Sequence, residues 1–266
     1  MFVFKSNCLA KMESVRKYEL PKIKRTCIAE DFPLKTLERS IRIEVAEEQD
    51  QETIEHFLNT DFVGNEPMNA SIDLTVEEFA VFIKPTLDES LKQRVSLLAV
   101  DDGCLCGLFI NNIHKANHTG KWKEPVMKED YGDEFDADQT PSENFKKIAV
   151  MLGEVETFIA QNLPADVNEY LRLDVLSVHK DYTKNGLAKK LTVESCKHAQ
   201  KKGIKWAQIT GSSVATNKIA QSMGFKQIFS LELNKFKAHG EQVFPDEFFD
   251  GGKQIGCYVI ELKSLV

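Results

Sequence analysis

The sequence predicts a mixed α/β fold, in which about seven strands are interspersed with helices. Three observations support this prediction. Short apolar or alternating segments are interspersed with segments whose apolar residues keep helical spacing. Residues 171–191 join one segment of each kind through a short polar turn. Hydrophobic residues make up 42% of the 266-residue chain, which is enough for a sizeable core.

The beginning of the chain is predicted to be an extension. Residues 1–27 carry seven basic and two acidic residues, without a clear basic amphipathic face. A mitochondrial presequence is the alternative for this segment, but Glu13 and Glu19 weaken it, because such presequences are poor in acidic residues. We therefore expect residues 1–38 to be poorly ordered or loosely docked, and one domain to cover residues 39–266.

Periodicity and turn residues predict the elements of this domain in order. Apolar and charged residues alternate at 41–45, as in a half-buried strand. Thr75 and Glu78 match a capping box at a helix start, and residues 101–103 (Asp-Asp-Gly) are typical of a hairpin turn. The predicted strands cover residues 41–45, 95–100, 105–111, 171–178, 206–211, 225–233 and 255–262. The predicted helices cover residues 47–58, 75–93, 145–159, 186–202 and 213–223.

Two irregular stretches interrupt this pattern. Residues 113–142 are polar and contain an acidic run, and residues 234–254 contain Phe244, Phe248 and Phe249. The acidic stretch is either a solvated insertion or a rim that attracts cationic amines. The phenylalanines either wall an aromatic pocket or pack beneath the loop.

The composition argues against several classes of function. A formal net charge of -7 argues against nucleic-acid binding as the main role. No apolar stretch reaches the length of a membrane helix, so we expect no membrane partner. The six cysteines show neither a disulfide framework nor a zinc spacing. This predicts free thiols, no metal and a cytoplasmic location.

Residues 171–191 form the most informative stretch of the sequence. A helix that begins after a glycine-containing turn, here at Gly186, presents backbone N–H groups that can bind phosphate oxygens. Nearby lysines add positive charge in this acidic chain: Lys180, Lys184, Lys189 and Lys190. The alternative is an ordinary strand–turn–helix with a solvated lysine face. His179 is expected to be solvated in the turn.

This stretch resembles the signature of the GNAT superfamily of acyl-CoA-dependent N-acyltransferases. The signature is a strand ending in apolar-x-Val, a polar turn, and then Gln/Arg-x-x-Gly-x-Gly/Ala. The matching residues are Leu176, Ser177, Val178, Thr183, Lys184, Asn185, Gly186, Leu187 and Ala188. The resemblance implies a GNAT-like fold with a central, mostly antiparallel, splayed sheet flanked by helices, which binds acetyl-CoA at these residues and at Lys189. Thr183 departs from the signature, since Gln or Arg would bring a longer side chain to the pyrophosphate.

A second stretch resembles the invertebrate-type arylalkylamine N-acetyltransferases. Their Phe-x-x-x-Glu-Pro-Leu/Met motif is matched by residues 62–68, which include Glu66, Pro67 and Met68. Residues 212–225 resemble their small-residue helix start followed by Leu/Met-Gly-Phe/Tyr. The resemblance implies that Glu66 is the general base.

The chemistry of amine acetylation also suits Glu66. An alkylamine with a pKa of about 10.4 is protonated at neutral pH, so a base must remove a proton from its nitrogen before it can attack. The alternative is that Glu66 only caps the turn before Pro67. The backbone N–H and C=O groups of residues 176–178 can pair with pantetheine and stabilise the oxyanion.

The departing thiolate gains from a hydroxyl partner. Many members of the superfamily use a tyrosine, at the position that Ala220 takes here. The arylalkylamine branch instead has two hydroxyl residues at the start of that helix, which correspond to Ser212 and Thr216. We expect both to act in catalysis or substrate orientation; the alternative for Ser212 is a helix N-cap.

Together these patterns predict an acetyl-CoA-dependent N-acetyltransferase that acetylates a small primary amine directly. An arylalkylamine such as dopamine, tyramine or serotonin is the first expectation for the substrate. The protein is expected to be a monomer or a homodimer. Three alternatives stay open: a polyamine or other small amine, a protein or peptide substrate, and a non-catalytic acyl-CoA-binding module.

Overall fold

The computed structural model describes residues 14–116 and 126–264. Its strands are β1 (Cys27–Pro33), β2 (Ser40–Val45), β3 (Leu97–Asp101), β4 (Cys104–Lys115), β5 (Glu169–Val178), β6 (Trp206–Gly211), β7 (Lys226–Glu232), β8 (Lys237–Ala238), β9 (Glu241–Gln242) and β10 (Gln254–Glu261). Eight of them are hydrogen-bonded in the order β1-β2-β3-β4-β5-β6-β10-β7. The pairs β1–β2, β2–β3, β3–β4, β6–β10 and β7–β10 are antiparallel. The prediction of a mixed fold with a mostly antiparallel sheet is confirmed.

Helices accompany this sheet, and most of them coincide with predicted segments. They are α1 (Gln51–Asp61), α2 (Pro67–Ser71), α3 (Val76–Gln93), α4 (Gly132–Ala137), α5 (Glu143–Asn162), α6 (Leu187–Lys201) and α7 (Val214–Ser222). The sequence analysis missed α2 and α4 because helices of five or six residues are too short to show a period of 3.6. Across the described ranges, no helix is both long and apolar enough to cross a membrane.

The chain clusters into two compact units. The first comprises Met1–Phe62, Ile83–Ile113 and Leu173–Gly203, and the second comprises Val63–Phe82, His114–Arg172 and Ile204–Val266. The core of the first unit contains buried aliphatic residues of β2, β3 and β4. In the core of the second unit, Phe158 of α5 packs on Phe229 of β7 with ring centroids 4.7 Å apart. Each unit therefore has its own apolar core.

Residues 14–38 are folded into the first unit. β1 pairs with β2 at the edge of the sheet, and Tyr18 and Leu20 are buried. Arg25 forms a two-point ion pair with the buried Asp50. The expectation of a loosely docked extension is therefore wrong for residues 14–38. Two irregularities in the β1–β2 register break the alternation by which a strand is recognised, and β1 supplies the strand beyond the seven expected.

Residues 1–13, the other part of the predicted extension, lie outside the described residues.

The two irregular stretches meet within the second unit. The carboxylate of Asp130 accepts backbone N–H groups from Gly132, His239 and Gly240 at 2.7–2.9 Å. Glu134 pairs with Lys128. The described part of the acidic stretch is therefore built into local hydrogen bonds rather than being a purely solvated insertion.

Aromatic packing fixes the second of these stretches. The rings of Phe236 and Phe244 are stacked with centroids 5.7 Å apart, and Phe248 meets Phe244 edge-on at 6.0 Å. Phe244 and Phe248 are buried, which favours the packing interpretation for both. Phe249 is 70% exposed and does not belong to this cluster.

Candidate active site

The start of α6, in the first unit, has the features of an anion site. Its N-cap Gly186 has φ 78° and provides no side-chain cap, whereas Glu66, Ser142 and Ser213 cap α2, α5 and α7. Lys190 N–H donates to the Gly186 carbonyl at 3.0 Å. The N–H groups of residues 187–189 therefore precede the first intrahelical bond and are available to an acceptor.

The surroundings of this helix start fit a diphosphate. A Cβ built on Gly186 would meet no heavy atom within 4 Å, so the backbone is open to close approach. Lys184 and Lys189 are exposed and Ala188 is half-buried, while Leu187 points into the core. The hydroxyl of Thr183 donates to the carbonyl of Lys180 at 2.8 Å. The positive charge therefore comes from the neighbouring lysines, because Thr183 cannot supply it.

The end of β5 lies directly before this turn. Ser177 is buried, and Leu176 and Val178 are half-buried on the opposite face. Gly107 of β4 packs tightly here, since a Cβ built on it would lie 3.3 Å from the Ser177 carbonyl oxygen. The strand end is thus fixed from one side by the backbone of β4.

His179 is buried, and the expectation of a solvated histidine is wrong. Its side chain is 2% exposed, and burial lowers its pKa. Its Nδ1 accepts the N–H of Asp181 at 3.3 Å, and its Nε2 lies 3.8 Å from Asp61. Tyr18, whose ring centroid lies 6.3 Å from that of His179, comes from the segment predicted to be loose. The burial of His179 by this segment could therefore not be predicted from the sequence.

The second unit holds Glu66 between two donors. Glu66 is the N-cap of α2, and its Oε2 accepts the N–H of Asn69 at 2.7 Å. Its Oε1 accepts the hydroxyl of Ser212 at 2.7 Å. The capping bond and the contact with a predicted site hydroxyl thus coexist on one carboxylate, and Pro67 follows at the first helical position, where proline is favoured.

The electrostatic environment moves the pKa of Glu66 upward. Burial is the largest influence and raises the pKa, and the negative charge of Asp250 adds to this. The N–H of Asn69 and the hydroxyl of Ser212 favour the ionised form and oppose the shift. A carboxylate whose pKa lies above its usual range is a stronger base than an exposed one, which suits proton removal near neutral pH.

The hydroxyls at the start of α7 divide into two groups. Ser213 is the N-cap, since its Oγ accepts the N–H of Thr216 at 3.1 Å. The Thr216 hydroxyl lies 2.9 Å from that same Oγ. The capping alternative for Ser212 is therefore wrong, because Ser213 takes that position and Ser212 contacts Glu66. Ala220 is buried, and the aliphatic side chain cannot donate a proton.

Sequence reasoning missed two residues near Glu66. Asp250 accepts the N–H of Val214 at 2.7 Å and holds the beginning of α7. Asn69 is 3% exposed, and its Nδ2 has no hydrogen-bond partner within the described parts of the chain. Asp250 lies in a phenylalanine-rich loop without a motif, so only the tertiary structure reveals it. Asn69 could have been noticed from its spacing of three from Glu66.

Comparisons with known proteins agree with this geometry at the level of fold. No protein-family model matches the sequence. Arylalkylamine N-acetyltransferase 2 from Aedes aegypti is similar, with a TM-score of 0.70, 22% identity, and coverage of 84% of this chain and 99% of that one. An apo variant of agmatine N-acetyltransferase has a TM-score of 0.68 at 17% identity, covering 83% and 99%.

The polyamine N-acetyltransferase of Drosophila melanogaster gives a TM-score of 0.64 at 17% identity, with coverage of 84% of this chain and 100% of that one. The matches span nearly the whole of each solved chain, so the likeness extends over a complete domain. The protein therefore has the GNAT fold of these N-acetyltransferases, which confirms the resemblance read from its sequence.

Proposed function

We propose that this protein is an acetyl-CoA-dependent N-acetyltransferase that acetylates a small primary amine, with an arylalkylamine as its first substrate class. The observation that carries the proposal is the Glu66 carboxylate, held by the Ser212 hydroxyl and the Asn69 N–H in a Glu-Pro motif on this fold. Three solved structures of similar fold are named as arylalkylamine, agmatine and polyamine N-acetyltransferases.

The first unit supplies the proposed binding of acetyl-CoA. The N–H groups at the start of α6 and the exposed Lys184 and Lys189 are suited to the diphosphate. The backbone at residues 176–178 is suited to pair with the pantetheine arm, and one of its N–H groups to stabilise the thioester oxygen as it gains negative charge. Acetyl-CoA acts here as a co-substrate, and no metal takes part in the proposed reaction.

The second unit supplies the proposed proton transfer. Glu66 takes a proton from the substrate ammonium, and the nitrogen lone pair then attacks the thioester carbon. The C–S bond breaks as the tetrahedral intermediate collapses, the second nitrogen proton is lost, and the CoA thiolate takes up a proton. The Ser212 hydroxyl orients the carboxylate. We assign Thr216 a supporting role, since its hydroxyl bonds to the Ser213 cap.

The acidic stretch bears on the choice of amine. Asp130 and Glu134 use their carboxylates in local bonds, and Asp136 lies 3.2 Å from His239. The Lys128–Glu134 pair offsets one negative charge of this stretch, which favours an arylalkylamine over a polycation. The polyamine alternative is kept because agmatine and polyamine N-acetyltransferases share the fold.

An amine panel tests the proposal directly. The full chain is mixed with acetyl-CoA and with tyramine, dopamine, serotonin, agmatine, spermidine or a peptide, and free thiol is followed. We expect the arylalkylamines to give the highest kcat/KM. A preference for agmatine or spermidine would support the polyamine alternative, and a preference for the peptide would support a protein substrate. CoA binding without turnover of any acceptor would contradict the proposed enzyme.

The rate of acetylation should follow the ionisation of Glu66 with pH. Glu66 acts as a base only when ionised, so kcat/KM rises as pH rises through its pKa, which burial places above the usual carboxylate range. Asp250→Asn removes a repelling charge and should move this rise to lower pH. Ser212→Ala removes a donor to the carboxylate and should move it to higher pH. Midpoints that shift in the same direction, or not at all, would contradict this assignment.

We also propose a cytoplasmic location, because Cys27, Cys104, Cys106, Cys196 and Cys257 are all free thiols. A monomer or homodimer stays the expected assembly.

A further inference from the structure

The loop between β1 and β2 is closed by its own backbone hydrogen bonds. The N–H of Leu34 donates to the carbonyl of Arg39 at 3.0 Å, and the N–H of Leu37 donates back to the carbonyl of Leu34 at 3.4 Å. Leu34 and Leu37 are both buried. Residues 34–39 therefore form a closed, anchored loop in the first unit.

This loop is hydrogen-bonded to Asn185, in the turn that precedes α6. The N–H of Thr36 donates to Asn185 Oδ1 at 2.8 Å. The Thr36 hydroxyl donates to the same oxygen at 3.1 Å and accepts from Asn185 Nδ2 at 3.0 Å. Thr36 is exposed but Asn185 is 1% exposed, so breaking these bonds would leave buried polar atoms of Asn185 without partners, which is costly.

The Asn185 side chain also forms hydrogen bonds with the backbone of its own turn. Its Nδ2 donates to the carbonyls of Tyr182 and Thr183 at 3.0 and 3.1 Å. The polar atoms of this side chain are thus committed to protein partners. Asn185 can serve a bound diphosphate through its backbone N–H, while its side chain fixes the shape of the turn.

A second anchor lies three residues earlier in the turn. Tyr182 is fully buried, and its hydroxyl donates to Asp101 and accepts from Arg39 at 2.9 Å. Arg39 also pairs with Asp101. Thr36 and Arg39 belong to the same six-residue loop, so one loop holds the turn at two points.

The turn needs such support because its backbone is strained. Lys184 has φ 63° and Gly186 has φ 78°, so a left-handed residue stands on each side of Asn185. A left-handed conformation at a residue other than glycine persists only when its surroundings enforce it. If the turn relaxed, the N–H groups that open α6 would lose their common direction.

We propose that Thr36 and Asn185 are positioning residues for acetyl-CoA, through which the β1–β2 loop sets the affinity of the diphosphate site. This inference rests on the proposed function for the identity of the ligand. Neither side chain is assigned a contact with the reacting atoms. Loss of the contact should therefore weaken cofactor binding and leave the chemical step intact.

The test measures the dissociation constant of CoA by calorimetry, together with kcat and KM for acetyl-CoA. Thr36→Val keeps the size and the backbone N–H of Thr36 but removes the hydroxyl, and Asn185→Ala removes the whole contact. Thr36→Ser retains the hydroxyl and should bind as the wild type does. Ser40→Ala is the matched control, because it removes a hydroxyl bond to Asp31 near the same loop without touching the turn.

We expect Thr36→Val to raise the dissociation constant and KM about 3- to 10-fold, the range for one or two lost hydrogen bonds, with kcat unchanged at saturation. Asn185→Ala should raise them further. The double variant should lose less than the two single effects combined, because both residues act through one contact. Thermal unfolding shows that each variant is folded at the assay temperature; if Asn185→Ala is not, Thr36→Val and Thr36→Ser decide the question.

Two results would overturn the inference alone. One is wild-type affinity in the folded Thr36→Val variant, and the other is an equal loss in Ser40→Ala. A fall in kcat at unchanged affinity would likewise contradict a positioning role. If the wild-type chain itself bound no CoA, the proposed function would fail as well, which separates the two claims.

Discussion

Replacing Glu66 with glutamine is expected to lower kcat for amine acetylation by about 10²–10⁴-fold, the usual contribution of a general base. Glutamine keeps the size of the side chain, and its oxygen can still accept one hydrogen bond, but it cannot take a proton from the amine. The affinity for CoA should be unchanged, because the proposed diphosphate site lies on α6. Steady-state kinetics with the best amine and calorimetry with CoA measure both effects.

Glu78 offers a matched control for this substitution. Its carboxylate also accepts a backbone N–H, from Thr75, and a hydroxyl, from Ser142. Glu78→Gln therefore removes the charge from a similarly bonded glutamate at another helix start, and it should leave kcat unaffected. Equal kcat losses in Glu66→Gln and Glu78→Gln would indicate a structural cause. A Glu66→Gln variant with wild-type kcat and pH profile would show that Glu66 is not the base.

Replacing Gly186 with alanine should weaken CoA binding by more than about tenfold. The added Cβ is strained at φ 78° and costs about 1–2 kcal/mol of stability. It also occupies open space beside the N–H groups that we assign to the diphosphate. The dissociation constant of CoA and the free energy of unfolding, measured on the same preparation, separate the two effects.

Gly203 is the control at the other end of the same helix. It has φ 90°, and a Cβ built on it meets no heavy atom within 4 Å. Gly203→Ala should therefore lower stability by a similar amount while CoA affinity stays at the wild-type value. If Gly186→Ala bound CoA as tightly as Gly203→Ala does, the diphosphate would not lie at the start of α6.

The stretch from β5 to α6 could be predicted from the sequence because its signals are local. The strand alternates, Gly186 and Gly203 bound the helix, and these patterns need no knowledge of distant residues. β1 could not be predicted in the same way. Its register with β2 is irregular, and its place in the sheet depends on pairing across the chain.

The candidate site also contains residues that have local sequence signals and residues that do not. Glu66 and Ser212 stand in short motifs, and the structure brings their side chains within 2.7 Å. The sequence offered a capping role for Ser212, and only the backbone geometry shows that Ser213 takes that position. Asp250 acts on Glu66 through space from a loop without a recognisable pattern. Charges that meet only in the folded chain leave no periodic or motif signal.

Acetyl transfer from acetyl-CoA straight to an amine is tested most directly by product stoichiometry. The full chain is mixed with an excess of acetyl-CoA, first without an amine and then with tyramine, and free thiol and N-acetylated amine are quantified by mass spectrometry. We expect no thiol release above background before tyramine is added, and equal amounts of thiol and N-acetyltyramine afterwards. Thiol released in proportion to protein before the amine arrives, with an acetyl group left on the chain, would contradict direct transfer.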